Sequence, residues 1–125
     1  MTTWNLTGTK HHVLICNGSS CMRKGGEEVT QAIREEITNV QADASIHTTR
    51  TRCNGRCKDA PIVIAYPQGT WYKEVNKESA CSIVHHLIKG TTKEEAVLYH
   101  YEDGGFAAPA HSTSEDGIVK VPNLK

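Results

Sequence analysis

Ile62-Val63-Ile64-Ala65-Tyr66-Pro67-Gln68-Gly69-Thr70-Trp71-Tyr72-Lys73-Glu74-Val75 is the stretch whose reading decides the fold. An apolar, β-branched run enters Pro67-Gln68-Gly69, which has turn chemistry, and a run rich in aromatic and β-branched residues leaves it. The pattern predicts a β-hairpin, with strands over 62–66 and 70–75, at the centre of a sheet.

Working outward, His12-Val13-Leu14-Ile15 is a short apolar run that ends at Cys16 and reads as a buried strand. Asn17-Gly18-Ser19-Ser20 and Gly25-Gly26 then bracket a loop that carries Cys21. From Glu27 the apolar positions Val29, Ile33, Ile37 and Val40 recur at helical spacing, with Glu27 and Glu28 in the first turn, where the helix dipole favours acidic groups. Residues 44–50 predict a second strand leading to Cys53, and Cys53-Asn54-Gly55-Arg56-Cys57 a tight loop. Asn76 is suited to cap a last helix whose face is Ala80, Ile83, Val84, Leu87 and Ile88, and Gly90 to end it. Strand, helix, strand, hairpin and helix in that order predict an α/β sandwich, a mixed β-sheet covered by helices, over residues 1–90.

Residues 91–125 read as a C-terminal extension, partly flexible. Thr92 and Glu95 have the spacing of a capping box before a short helical stretch toward Tyr99. Gly104-Gly105 and the small or polar residues to Asp116 resemble a linker, and 117–124 suit either an edge strand or a loose end.

Composition narrows the function. With 125 residues the chain supports one domain and a tail, and its 14 basic and 14 acidic residues produce no overall field toward nucleic acid or an anionic membrane. No apolar run approaches the roughly 20 residues that cross a bilayer, and residues 1–10 lack the features of a signal peptide, so a cytoplasmic location is expected. A reducing compartment disfavours structural disulfides, which turns attention to metal or redox chemistry for the five cysteines.

Four of those cysteines form two short-spaced pairs, Cys16 with Cys21 and Cys53 with Cys57, and Cys81 stands alone. In a 2Fe-2S rhomb the bridging sulfides occupy two positions on each iron, so the protein supplies two thiolates to each, one pair per iron. Gly18, Gly25, Gly26 and Gly55 let backbone amides approach the sulfurs, and Arg23, Lys24, Arg50, Arg52, Arg56 and Lys58 place positive charge beside them, either as a solvated surface or as a guide for an acidic partner. Two pairs also suit a structural zinc in an interaction module. A thiol-disulfide oxidoreductase would typically use Cys-x-x-Cys, a spacing absent from this chain. Plant-type ferredoxin and Rieske spacings are absent as well, since Met22-Arg23-Lys24 follows Cys21 and none of the histidines takes the place of a cysteine in the metal loops.

Cys-x4-Cys followed by Cys-x3-Cys, with Ala60-Pro61, Tyr66-Pro67-Gln68-Gly69-Thr70-Trp71-Tyr72 and the closing helix to Gly90, resembles the thioredoxin-like 2Fe-2S ferredoxins, a family related to the 24 kDa subunit of respiratory complex I. The resemblance covers roughly residues 10–90. It implies a thioredoxin-like fold and a soluble one-electron carrier, not an enzyme, with one 2Fe-2S cluster on Cys16, Cys21, Cys53 and Cys57. It also implies redox partner proteins, a reductase or an acceptor enzyme, and frequent homodimers. Lys77 departs from the pattern, because a proline often starts the last helix there.

The remaining motifs have plainer readings. Cys81 within the last helix is expected to pack, as are Trp71 and Tyr72 in the hairpin. Neighbouring histidines point apart on a strand and lie about 100 degrees apart on a helix, so His11-His12 and His85-His86 make poor metal sites.

Overall fold

The computed structural model describes residues 2–120. Strand β1 (His11–Cys16) pairs in parallel with β2 (Ile46–Thr51), the two joined by a crossover through helix α2 (Gly26–Asn39). On its other edge β1 pairs antiparallel with β3 (Val63–Tyr66), which turns into β4 (Thr70–Tyr72) as the predicted hairpin. Gly69 makes that turn at φ +71°, and a Cβ there would stand 2.7 Å from the Cβ of Tyr101, so the position requires glycine both for conformation and for space. The sheet order is β2-β1-β3-β4-β5-β6, with β5 at Val97–Glu102 and β6 at Gly105–Ala107.

Period-two alternation assigns the buried strand residues to one of two cores. Val13, Ile15, Val63, Ala65, Tyr72 and Val97 face α2 and α3 (Lys77–Lys89), which lie together on that side and contribute Val29, Ile33, Ile37, Ala80, Ile83, Val84 and Leu87. Each fully buried aliphatic side chain stabilises the fold by about 1.5–3 kcal/mol. The intervening residues Ile64 and Cys16 point to the opposite face, where a smaller cluster also takes Cys21, Ala60, Ile62 and Leu98. Cys16 therefore ends β1 on the face away from the helices.

The helix expected from Glu27 and the cap and stop expected at Asn76 and Gly90 are present. The Asn76 side chain accepts from the Ser79 amide at 2.9 Å while Ser79 Oγ accepts from the Asn76 amide, and Gly90 ends α3 in the left-handed conformation. Ile88, assigned to the apolar face, is 51% exposed, because the buried stripe of α3 stops at Leu87.

Three expectations are corrected. The loop expected over 17–26 contains a short helix, α1 (Ser19–Arg23), that buries Cys21. The helical stretch toward Tyr99 is instead a single 3-10 turn, Glu94–Ala96, followed by β5, and no side-chain cap forms there. Tertiary pairing overrides the local signal: Val97 and Leu98 are buried and β5 pairs with β4, so the sheet and its core continue beyond Gly90. Gly104-Gly105, read as linker, belongs to the β5–β6 hairpin. Residues 117–120 have no regular structure, and the rest of the segment read as an edge strand or loose end lies outside the described residues. Among the described residues no helix is long and apolar enough to cross a membrane.

Candidate functional site

The four paired cysteines line one narrow pocket together with Gly18, Ser20, Asn54, Arg56 and Ile62. Three segments bring them there: the end of β1 supplies Cys16, α1 supplies Cys21, and the loop after β2 supplies Cys53 and Cys57, with a 3-10 turn, Cys57–Asp59, closing it. Close backbone approach makes this convergence possible. A Cβ on Gly18 would stand 2.8 Å from Cys53 Cα, and one on Gly26 would stand 2.9 Å from the Cys21 carbonyl oxygen and 3.1 Å from that of Cys16. Gly18 has ordinary extended dihedrals, so what it provides is space.

The pocket is asymmetric. Cys16 and Cys21 are each 3% exposed, whereas Cys53 and Cys57 face solvent with their sulfurs 3.6 Å apart. Burial disfavours the Cys16 thiolate, but the Gly18 amide, the Cys21 thiol and Asn54 direct hydrogen bonds at its sulfur and hold its pKa below the ordinary thiol value. Burial and the hydrogen bond to Cys16 push Cys21 up to about 12. Thiolate is the ligating form, so metal binding at this pair is coupled to release of the protons its thiols carry. On the exposed pair, the Gly55 amide donates to Cys53 Sγ at 3.3 Å.

Among the described residues no three His, Cys, Asp or Glu side chains gather around a point that one ion would occupy. The sulfurs instead form two pairs across one pocket. A mononuclear tetrahedral site wants four donors about one centre, whereas a 2Fe-2S rhomb wants two donors at each end, so the donor set fits the rhomb.

The surrounding charge is less uniform than the sequence implied. Arg23, Lys24, Arg52 and Lys58 are exposed beside the loops. Arg50 is paired with Glu27 at 3.0 Å, and Arg56, far from being a solvated surface group, is paired with the buried Asp59 at 2.8 Å. Sequence reasoning missed Asn54, whose side chain donates to Thr51 Oγ1 and the Arg52 carbonyl and keeps the loop closed. Asparagine in a tight turn was the available signal. Cys81 lies outside the pocket, on α3, in the groove between α2 and α3 beside Glu35 and Glu36. His12 and His47 stack across neighbouring strands with ring centroids 5.2 Å apart, remote in the sheet from the cysteine loops.

A mixed sheet backed by two helices thus collects four thiols at one end, on the segments that follow β1 and β2. Residues 3–88 match the family profile of the thioredoxin-like [2Fe-2S] ferredoxins, and the chain belongs to this family. A 2Fe-2S cluster is the cofactor of the family and electron carriage its role. A protein of Priestia megaterium, named as a candidate 2Fe-2S ferredoxin, is 59% identical over 122 residues, 97% of this chain and 95% of that one. The 2Fe-2S ferredoxin of Aquifex aeolicus is 35% identical over 96 residues, 70% of this chain and 86% of its own. A crystal structure of the thioredoxin-like [2Fe-2S] ferredoxin from Aquifex aeolicus superposes with a TM-score of 0.65 at 32% identity, covering 72% of this chain and 97% of that one. A chain of an NAD+-reducing [NiFe]-hydrogenase shares the fold alone, at TM-score 0.55 and 10% identity. The expected fold class and family are thereby borne out.

Proposed function

We propose that Cys16, Cys21, Cys53 and Cys57 hold one 2Fe-2S cluster, and that the protein is a one-electron carrier, taking an electron from a reductase or other donor and delivering it to a metabolic enzyme. The observation that carries this reading is the convergence of all four sulfurs on one pocket as two pairs, one buried and one at the surface. The cluster supplies reversible one-electron chemistry when bound.

The chain's own residues do the rest. Cys16 and Cys21 sit in a cluster with Ala60, Ile62, Ile64 and Leu98, which excludes water from the inner end. Cys53 and Cys57 reach the surface, where a partner approaches closely. The Gly55 amide donates to Cys53 Sγ, which disperses negative charge and favours the reduced state. Arg23, Lys24, Arg52 and Lys58 ring the exposed edge, a positive rim that favours an acidic docking surface and makes association fall with ionic strength. The five free thiols agree with a cytoplasmic setting.

Counting iron, acid-labile sulfide and zinc in one anaerobically purified sample tests the ligand set. About two irons and two sulfides per chain are expected from a 2Fe-2S centre. One zinc per chain, with neither iron nor sulfide, would replace the carrier by a structural metal module.

A further inference from the structure

The chain beyond β6 crosses back over the loop that holds the exposed cysteines. Arg56, between Cys53 and Cys57, is the point of contact. On the loop side its Nε donates to Asp59 Oδ2 at 3.0 Å and its Nη2 lies 2.8 Å from the same oxygen. Toward the C-terminus its Nη1 donates to the Asp116 carbonyl at 3.2 Å and its Nη2 to the Glu115 carbonyl. The guanidinium carbon sits 5.4 Å from the centre of the Tyr99 ring, on β5. Only 13% of the Arg56 side chain and 7% of the Asp59 side chain remain exposed.

A second tie anchors the same segment, because Lys73 Nζ donates to Ser114 Oγ at 2.8 Å. Gly117 completes the fit. It adopts φ +78°, and a Cβ there would stand 3.1 Å from Arg56 Nη1. The planar fork of arginine serves two directions at once, a carboxylate on one side and two carbonyls on the other, which an ammonium group does not match.

We propose that residues 108–117 form a strap that Arg56 pins onto the Cys53–Cys57 loop, which makes Arg56 a positioning residue for the cluster site and the C-terminal segment a determinant of cluster retention. This rests on the ligand set proposed above. The exposed loop contains Gly55 at φ +85° and faces solvent at both cysteines, so it is the side of the pocket with least packing to hold it in place. The strap supplies that restraint from residues 60 positions away in sequence.

The test uses the full-length, cluster-loaded chain as wild type, Arg56→Lys, Gly117→Val and the double variant. Lysine keeps a cation beside Asp59 but lacks the fork, and valine at 117 wedges the contact from the strap side without touching the loop. The rate at which an iron chelator bleaches the visible absorbance should rise about tenfold in each single variant, the effect of one lost charge-assisted hydrogen bond. Because both changes break the same contact, the double variant should be no faster than the quicker single one. Rates within twofold of wild type, or a double variant with multiplied effects, would overturn the proposal. The same chains in metal-free form are digested with a glutamate-specific protease, and cleavage after Glu115 should be about tenfold faster in both single variants; unchanged cleavage would also overturn it. Wild-type protein that never acquires iron would sink the ligand assignment, while the protease comparison still reads the strap.

Discussion

Serine at Cys57 is expected to remove or visibly alter the reduced-state EPR signal that the wild-type protein gives, whereas serine at Cys81 leaves both the colour and the signal unchanged. Cys57 shares its side of the pocket with Cys53, their sulfurs 3.6 Å apart, and a serine oxygen is a harder, more weakly matched ligand for iron than a thiolate. The same loss or alteration is expected at Cys16, Cys21 and Cys53. At Cys16 and Cys21 the consequence should be the more severe, because both are 3% exposed and a hydroxyl that finds no iron is left in a largely apolar cluster. Cys81 is the control within the same chain, a half-buried thiol on α3 that lines a different groove. EPR and absorption spectra of the five serine variants, prepared in parallel, decide the matter. A Cys81 variant that lost its signal, or a Cys57 variant that kept an unaltered one, would mean that the ligand set is wrong.

Gly18→Val carries the second large effect, and it acts without touching a sulfur. The Gly18 backbone is extended, with φ −66° and ψ 169°, a conformation open to any residue, so the substitution brings no backbone strain. It brings crowding, since the added Cβ would stand 2.8 Å from Cys53 Cα and 2.9 Å from Cys53 N, both backbone atoms that have no rotamer in which to retreat. Overpacking of this kind costs about 1–3 kcal/mol, and here the relief is to push the Cys53 loop away from Cys16 and Cys21. Cluster content retained against a competing iron chelator should fall by about tenfold, with Gly18→Ala intermediate, because a shift worth about 1.4 kcal/mol changes an equilibrium by that factor. The reading is iron per chain against the denaturant midpoint of the metal-free protein. Full iron content in Gly18→Val would show that the two loops do not need their close approach.

Much of this arrangement was legible in the residues. The spacing of Val29, Ile33 and Ile37 gave the helix that backs the sheet, and the run from Ile62 to Tyr72 gave its central hairpin, since both patterns match a single periodicity with clear punctuation. The cysteine pairs pointed to a four-thiolate site, and all four cysteines line one pocket. What was hidden depended on contacts distant in sequence. Val97-Leu98-Tyr99 lies in β5, but the preceding Thr92 and Glu95 have the spacing of a helix cap, and only pairing with β4 settles which conformation wins. The helix that carries Cys21 is not legible in the sequence, because one and a half turns leave no periodic pattern. Arg56 looked like one more solvated charge, and its actual partners on the strap are backbone carbonyls, which carry no residue code.

The functional reading gains its specificity from asymmetry. A buried inner pair and an exposed outer pair give the pocket one end sealed from water and one end close to the surface, and exposed cations neighbour the cysteines in sequence. Electron delivery needs the second feature, while retention of a metal centre needs the first. That both arise from Gly18, Gly26 and the ends of two adjacent strands shows how little of the chain is committed to the site.

A reductive titration of the anaerobic, full-length wild-type protein, followed at once by visible absorbance and EPR, bears most directly on the central claim. Uptake of one electron per chain, with bleaching of the visible bands and a paramagnetic signal growing in step to about one spin per chain, is the predicted result for a single 2Fe-2S centre. No bleaching and no spin, in a sample with its full complement of metal, would contradict it.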